Sequence, residues 1–166
     1  LSQYDLDQNA ELAEQYNVDK TPGFVIAGHS NGDLVDYGVR FAGVPAGHEF
    51  SSLIQDIILV SGGDSRLSQG TRDLLANLEK PVSLQVFVTP TCPYCPQAVI
   101  LAHQMAMESP FVQAEMVEAT EFPELSSRHG VSGVPQTTIN DGAGNVVGAV
   151  PEQQLFAEIL RSINAD

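Results

Sequence analysis

Phe87-Val88-Thr89-Pro90-Thr91-Cys92-Pro93-Tyr94-Cys95-Pro96 closes an alternating segment and opens a helical one. Upstream, Val82, Leu84, Val86 and Val88 alternate with Ser83, Gln85 and Phe87, which predicts a buried strand over 82–88. Downstream, a helix is expected from Cys92 to about Glu108. A cysteine at a helix N-terminus faces unpaired backbone N–H groups and the positive end of the helix dipole, and both favour the thiolate. With two residues between them, the thiols lie within one turn and can close a small disulfide. Cys92 is the expected attacking thiol, and Cys95 the thiol that resolves the resulting mixed disulfide. Pro93 suits a first helical turn, where its missing N–H costs nothing. Tyr94 presents an aromatic edge beside the sulfur, and Thr91 shapes the entry to the helix with a hydroxyl near the thiolate. The competing readings of an isolated Cys-X-X-Cys are half of a zinc site and a purely local staple.

Composition narrows the chemistry. The 166 residues are enough for one medium domain or two small ones. A net charge of −14, from 21 acidic and 7 basic residues, argues against nucleic acid and against anionic membrane surfaces as partners. No apolar run approaches the ~20 residues of a membrane span, and no segment reads as a secretory signal. Only two cysteines occur, and the four histidines (His29, His48, His103, His129) lack ligand-like spacing, so no metal site is expected. Gly142 and Gly144 read as turn residues rather than a phosphate loop.

Along the chain, Gln3–Leu6 reads as a short strand and Ala10–Tyr16 as a helix capped by Asn9. Two strands, Phe24–Ala27 and Leu34–Val39, join across His29-Ser30-Asn31-Gly32. A helix over 46–60 carries Phe50, Leu53, Ile54, Ile57 and Ile58 at helical spacing, and another runs from about Arg66 to Leu78. After the Cys92 helix come a strand at 112–118, a short helix at 121–129, a hairpin from Gln136–Ile139 to Val146–Ala149, and a last helix over 152–163. Glu118, at the end of a strand, is read either as a partly buried carboxylate relaying protons to Cys95 or as a solvated acid. His103, Met105 and Met107 read as structural.

An internal repeat runs through this order. At an offset of 113 residues Glu11 falls on Glu124, Leu12 on Leu125, Val18 on Val131, Pro22 on Pro135 and Ile26 on Ile139. Both copies continue as strand, turn, strand, helix. Cys92 precedes Pro135 by 43 residues, so its counterpart in the first copy would fall before residue 1. The expectation is a fragment: residues 1–63 a partial unit lacking its first strand and helix, 64–81 a linking helix, and 82–166 a complete unit. Leu rather than Met at position 1 agrees with that expectation.

A Cys-X-X-Cys between strand and helix in a βαβ pattern is a thioredoxin-like signature. Together with Phe41-Ala42-Gly43-Val44-Pro45-Ala46-Gly47-His48-Glu49-Phe50 and Met116-Val117-Glu118-Ala119, the opening stretch resembles the protein disulfide oxidoreductases, or glutaredoxin-like proteins, of archaea and bacteria. The resemblance covers nearly the whole chain. It implies an α/β fold of tandem thioredoxin-like (glutaredoxin-like) units, three-layer α/β/α with a mixed sheet, whose first unit is incomplete here. It implies a redox-active Cys92–Cys95 disulfide with no other cofactor, and a cis bond at Pro135 that places Val134 beside Cys92 to bind an extended substrate peptide. Protein disulfides are the implied substrates, in the cytoplasm, with a thioredoxin reductase-like enzyme or glutathione as electron donor. A second Cys-X-X-Cys, usual in the family's N-terminal unit, is absent from this sequence. Two alternatives stand: an electron-relay domain similar to that of the alkyl hydroperoxide reductase flavoprotein, and a binding module in which the two cysteines bridge an iron–sulfur cluster or zinc between chains. Self-association through the incomplete first unit is also expected.

Overall fold

A computed structural model describes residues 1–164. The chain runs α1 (Ala10–Gln15), β1 (Gly23–Ser30), β2 (Asp33–Ala42), α2 (Glu49–Gly62), α3 (Gln69–Ala76), β3 (Val82–Val88), α4 (Cys95–Glu108), β4 (Val112–Glu118), α5 (Pro123–Arg128), β5 (Gln136–Ile139), β6 (Gly144–Val147) and α6 (Glu152–Asn164). All six strands join one mixed sheet in the order β1-β2-β4-β3-β5-β6. The three central strands β2, β4 and β3 are parallel, and the β1–β2 and β5–β6 hairpins flank them, β5 antiparallel to β3.

The sheet is three-layered because alternate side chains feed two cores. On one face Val39, Phe41, Leu84, Val86, Val88, Ala114 and Met116 pack under α2, α4 and α6. On the other, Ala42, Phe87 and Val117 meet Phe122, Leu125 and Val131 beside α5. The β1–β2 turn is Asn31-Gly32 alone, both with positive φ (53° and 93°), the two-residue geometry that matches strand twist. The strands therefore run longer than the alternation in the sequence suggests.

Several local expectations are corrected. No strand forms at Gln3–Leu6; the Asp5 carboxylate instead accepts from the Asp7 and Gln8 amides and folds that segment into a turn. Asn9 precedes α1 but its side chain turns back to accept from the Asp5 amide rather than capping the helix. The helix after the Cys-X-X-Cys begins at Cys95 rather than Cys92, because Thr89 to Tyr94 form turns with the Cys92 amide bonded to the Thr89 carbonyl. Pro96, not Pro93, occupies the first turn of α4.

The inward face of α2 is mixed: Glu49, Ser52, Asp56, Leu59 and Val60 are buried and Leu53 packs on the core, whereas Phe50, Ile54, Ile57 and Ile58 are 41–58% exposed. Helical spacing fixes that a stripe exists but not which way it faces. Here the first two turns of the inward stripe are polar, with Asp56 held by His103 on α4, and Leu59 and Val60 complete it.

Candidate functional site

Parallel strands bring their C-terminal ends to one edge of the sheet, so the loops after β2, β3 and β4 meet there. The β3 loop carries the sulfurs. Cys92 and Cys95 form a disulfide. Cys92 is 8% exposed and Cys95 fully buried, so of the pair only Cys92 touches solvent. Tyr94, at 68% exposure, projects beside them, and Pro93 and Thr91 are exposed on the same loop.

The register of β3 against β5 pairs Phe87 with Gln136. Continued outward, it sets Pro135 and Val134 alongside Val88 and the start of the Cys92 loop. The Val134–Pro135 peptide bond is cis, as is Thr21–Pro22. The Pro135 carbonyl accepts from the Gly148 amide at 2.8 Å. Val134 makes no backbone hydrogen bond among the described residues, which leaves its N–H and C=O available to an extended chain.

Glu118 is buried at the end of β4. Its carboxylate accepts from the Thr120 hydroxyl at 2.7 and 2.8 Å and from the Glu121 amide at 2.7 Å. Those bonds stitch the β4–α5 loop and are all local, so Glu118 and the cysteines are not joined. Glu121 in turn accepts from the Val44 amide, tying the β4 loop to the β2 loop.

A second buried acid, Glu49, lies at the start of α2, the helix packed on α4. The His48 amide donates to the Pro90 carbonyl at 2.9 Å, seating the start of α2 on the loop that leads into Cys92. Gly47 permits this approach: its φ is +59°, and a Cβ there would lie 2.2 Å from the Pro90 oxygen. From that anchor α2 and α4 run parallel, each returning from a parallel strand. Asp56 lies seven residues after Glu49 and His103 eight after Cys95, and these two meet with Nδ1 to Oδ2 at 2.6 Å. Glu49 therefore stands level with the first turn of α4, where Cys95 is buried. Burial pushes the Glu49 carboxyl up to about 7, with Asp56 adding to the rise; a 2.6 Å hydrogen bond from the Ser52 hydroxyl and the charge of His103 oppose it. Sequence reasoning passed over Glu49 and Asp56, and took His103 as merely structural. The legible signal was the polar stripe Glu49, Ser52, Asp56 at i, i+3, i+7 on an otherwise apolar helix.

Among the described residues no group of three or more His, Cys, Asp or Glu side chains is arranged to hold a metal ion, and no helix is long and apolar enough to cross a membrane.

Comparison with known proteins fits this geometry. A family model described as a thioredoxin domain matches residues 82–161. The F subunit of alkyl hydroperoxide reductase from Staphylococcus aureus is 32% identical over 136 residues, covering 82% of this chain and 25% of that protein. The crystal structure of a protein disulfide oxidoreductase from Aeropyrum pernix superposes with a TM-score of 0.82 at 31% identity, over 93% of this chain and 65% of that one. The NTD_N/C domain of alkylhydroperoxide reductase AhpF from Enterococcus faecalis gives 0.81 at 28% identity, over 92% and 72%. The chain spans about a quarter of the length of the curated relatives it matches. A Cys-X-X-Cys disulfide at a strand–helix junction, a thioredoxin domain over residues 82–161 and a fold shared at this level show that the chain is thioredoxin-like in fold.

Proposed function

We propose that this chain exchanges electrons with disulfide substrates through Cys92 and Cys95. The observation that carries this reading is the asymmetry of the pair: a reachable sulfur on the loop and a buried one at the helix start. In the reducing direction, the Cys92 thiolate attacks one sulfur of a substrate disulfide and expels the other as a thiolate. The Cys95 thiolate then attacks Cys92 Sγ, releasing the substrate dithiol and leaving the Cys92–Cys95 disulfide. Two electrons from a donor dithiol reset the pair by the reverse exchange. Pro93, Tyr94, Val134 and Pro135 form the docking surface, with the Val134 backbone receiving an extended substrate segment. Thr91 supports the Cys92 loop.

Cys95 has to lose a proton to attack and regain one when it leaves, inside a water-poor site. Glu49, level with it and poised near neutrality, is the group we assign to that exchange. The role considered for Glu118 passes to Glu49, since the Glu118 carboxylate is committed to its own loop.

Residues 1–63 are a partial first unit in this proposal, 64–81 a linker, and the chain from 82 onward a complete unit. In support, the hairpin β1–β2 with α2 repeats the order of β5–β6 with α6, and the outward apolar face of α2 is what a missing strand–helix partner, or self-association, would cover. The second reading, an electron relay fed by an attached flavin domain, is favoured by the likeness to the F subunit of alkyl hydroperoxide reductase. The two differ in donor: thioredoxin reductase-like enzyme or glutathione in one, a flavin domain in the other, both in the cytoplasm. Bridging of a cluster or zinc would need both sulfurs reduced and a second chain.

The test is turnover of a protein disulfide such as insulin, with dithiothreitol as donor. We expect Cys92→Ser to abolish turnover and Cys95→Ser to stall after one exchange. Equal residual activity in both variants would contradict the assigned roles.

A further inference from the structure

The buried contact between α2 and α4 has a second half that thiol exchange does not itself require. His103 is fully buried, and both of its ring nitrogens face acceptors: Nδ1 meets Asp56 Oδ2 at 2.6 Å, and Nε2 meets the Arg40 carbonyl at 3.1 Å. A carbonyl only accepts, so Nε2 carries a proton. Asp56 is 1% exposed, and its other oxygen, Oδ1, makes no hydrogen bond. Glu49 Oε1 is likewise buried without one. The ring packs on Phe41 at a centroid distance of 5.0 Å, which fixes its plane. Two carboxylates and an imidazole thus share one dry seam, its far end held by the sheet and its near end level with Cys95.

Resting on the assignment of Glu49 as the proton partner of Cys95, we propose that the Asp56–His103 pair is a positioning element for the redox centre. It holds a compensated charge along the α2–α4 seam and so sets the pH at which Glu49 can hand a proton to the leaving Cys95 sulfur. The groups facing Glu49 are few. Ser52 and Asp56 come from its own helix, His103 from α4, and the Pro90 loop presents a carbonyl already bonded to the His48 amide. From β2 comes the Arg40 carbonyl, which holds His103, while the Arg40 guanidinium is turned to the other face, toward Asp36 and the Tyr16 carbonyl. Joined by one proton between Nδ1 and Oδ2, Asp56 and His103 are neutral as a pair whichever of them holds it, and Glu49 feels a dipole. With His103 removed, Glu49 faces an unbalanced carboxylate in a dry site, where a like charge holds the proton more tightly by about tenfold or more.

The relevant step is reduction of the oxidised protein by dithiothreitol. A dithiothreitol thiolate attacks Cys92 Sγ, the bond to Cys95 breaks, and the Cys95 sulfur leaves with the Glu49 proton. The second thiol of the reagent then attacks the mixed disulfide, releasing the Cys92 thiolate and cyclic oxidised dithiothreitol. The rate is followed by acid quench, alkylation and intact mass between pH 5.5 and 8.5, and corrected for reagent thiolate.

The wild-type rate constant should fall through an inflection near pH 7, where Glu49 titrates. In His103→Asn the inflection should move up by about one pH unit, and in Asp56→Asn/His103→Asn it should return close to the wild-type position. A His103→Asn profile that overlays wild type while Glu49→Gln loses the inflection overturns the role of the pair and leaves Glu49 standing. An inflection kept in Glu49→Gln overturns the parent assignment instead. A double variant as displaced as the single one shows a packing defect and counts against a charge effect.

Discussion

Replacing Glu49 by glutamine should change how stability depends on pH, and the size follows from the structure. The Glu49 carboxyl titrates at about 7 in the folded chain, against an ordinary value of 4.5. Between those values the folded state holds a proton that the unfolded state has released, so stability falls as pH rises across that window. At 1.36 kcal/mol per pH unit the loss is about 3 kcal/mol, complete once the pH passes the folded value. Below pH 4.5 both states are protonated and the contribution vanishes. Glutamine has the shape of the neutral acid and does not titrate, so the variant lacks this loss. For a chain of 166 residues about 3 kcal/mol corresponds to roughly 6–12 °C in Tm. Urea titrations of oxidised wild type and Glu49→Gln at pH 5 and pH 8 isolate the effect, because every other titrating group is common to both. The variant should gain on wild type by about 2.5 kcal/mol from the lower pH to the higher, the rest of the loss falling below pH 5. A difference between the proteins that is the same at both pH values would refute the claim that Glu49 is buried as an acid.

Two further outcomes follow. Gly47→Ala forces a side chain into left-handed backbone and against the Pro90 carbonyl, so it should cost about 2–4 kcal/mol in urea unfolding. It should also slow disulfide turnover, because the loop bearing Cys92 must shift. Ser52→Ala removes the hydroxyl that donates to Glu49 and favours its charged form, so the Glu49 titration followed by 13C NMR should move to higher pH.

The redox segment was legible because strand and helix announce themselves by different periods on either side of Cys92. Val82 to Val88 alternates, and the residues after Cys95 do not. Pro22 and Pro135, matched in the sequence, each precede the first strand of a hairpin. What failed did so for identifiable reasons. The Phe50-Leu53-Ile54-Ile57-Ile58 spacing gave the period of α2 but not which face turns inward, because orientation depends on neighbours far along the chain. Asp56 can face inward beside Leu59 and Val60 because His103, on another helix, pairs with it. Asn9 and Asp5 are both capping residues, and their competition for the same turn is decided by geometry that residue type does not carry. Glu118 reads in the sequence as a relay acid or a solvated one; it is buried, and its bonds to Thr120 and Glu121 depend on loop geometry that residue type does not carry.

The central claim is that Cys92 attacks and Cys95 resolves. Intact mass of Cys95→Ser after incubation with an equimolar disulfide-bonded peptide tests it most directly. A stable one-to-one adduct mapped to Cys92, with no adduct formed by Cys92→Ser under the same conditions, is the expected result. An adduct on Cys95 in the Cys92→Ser protein, formed as fast as the first, would show that the buried sulfur is equally reachable and would contradict the account.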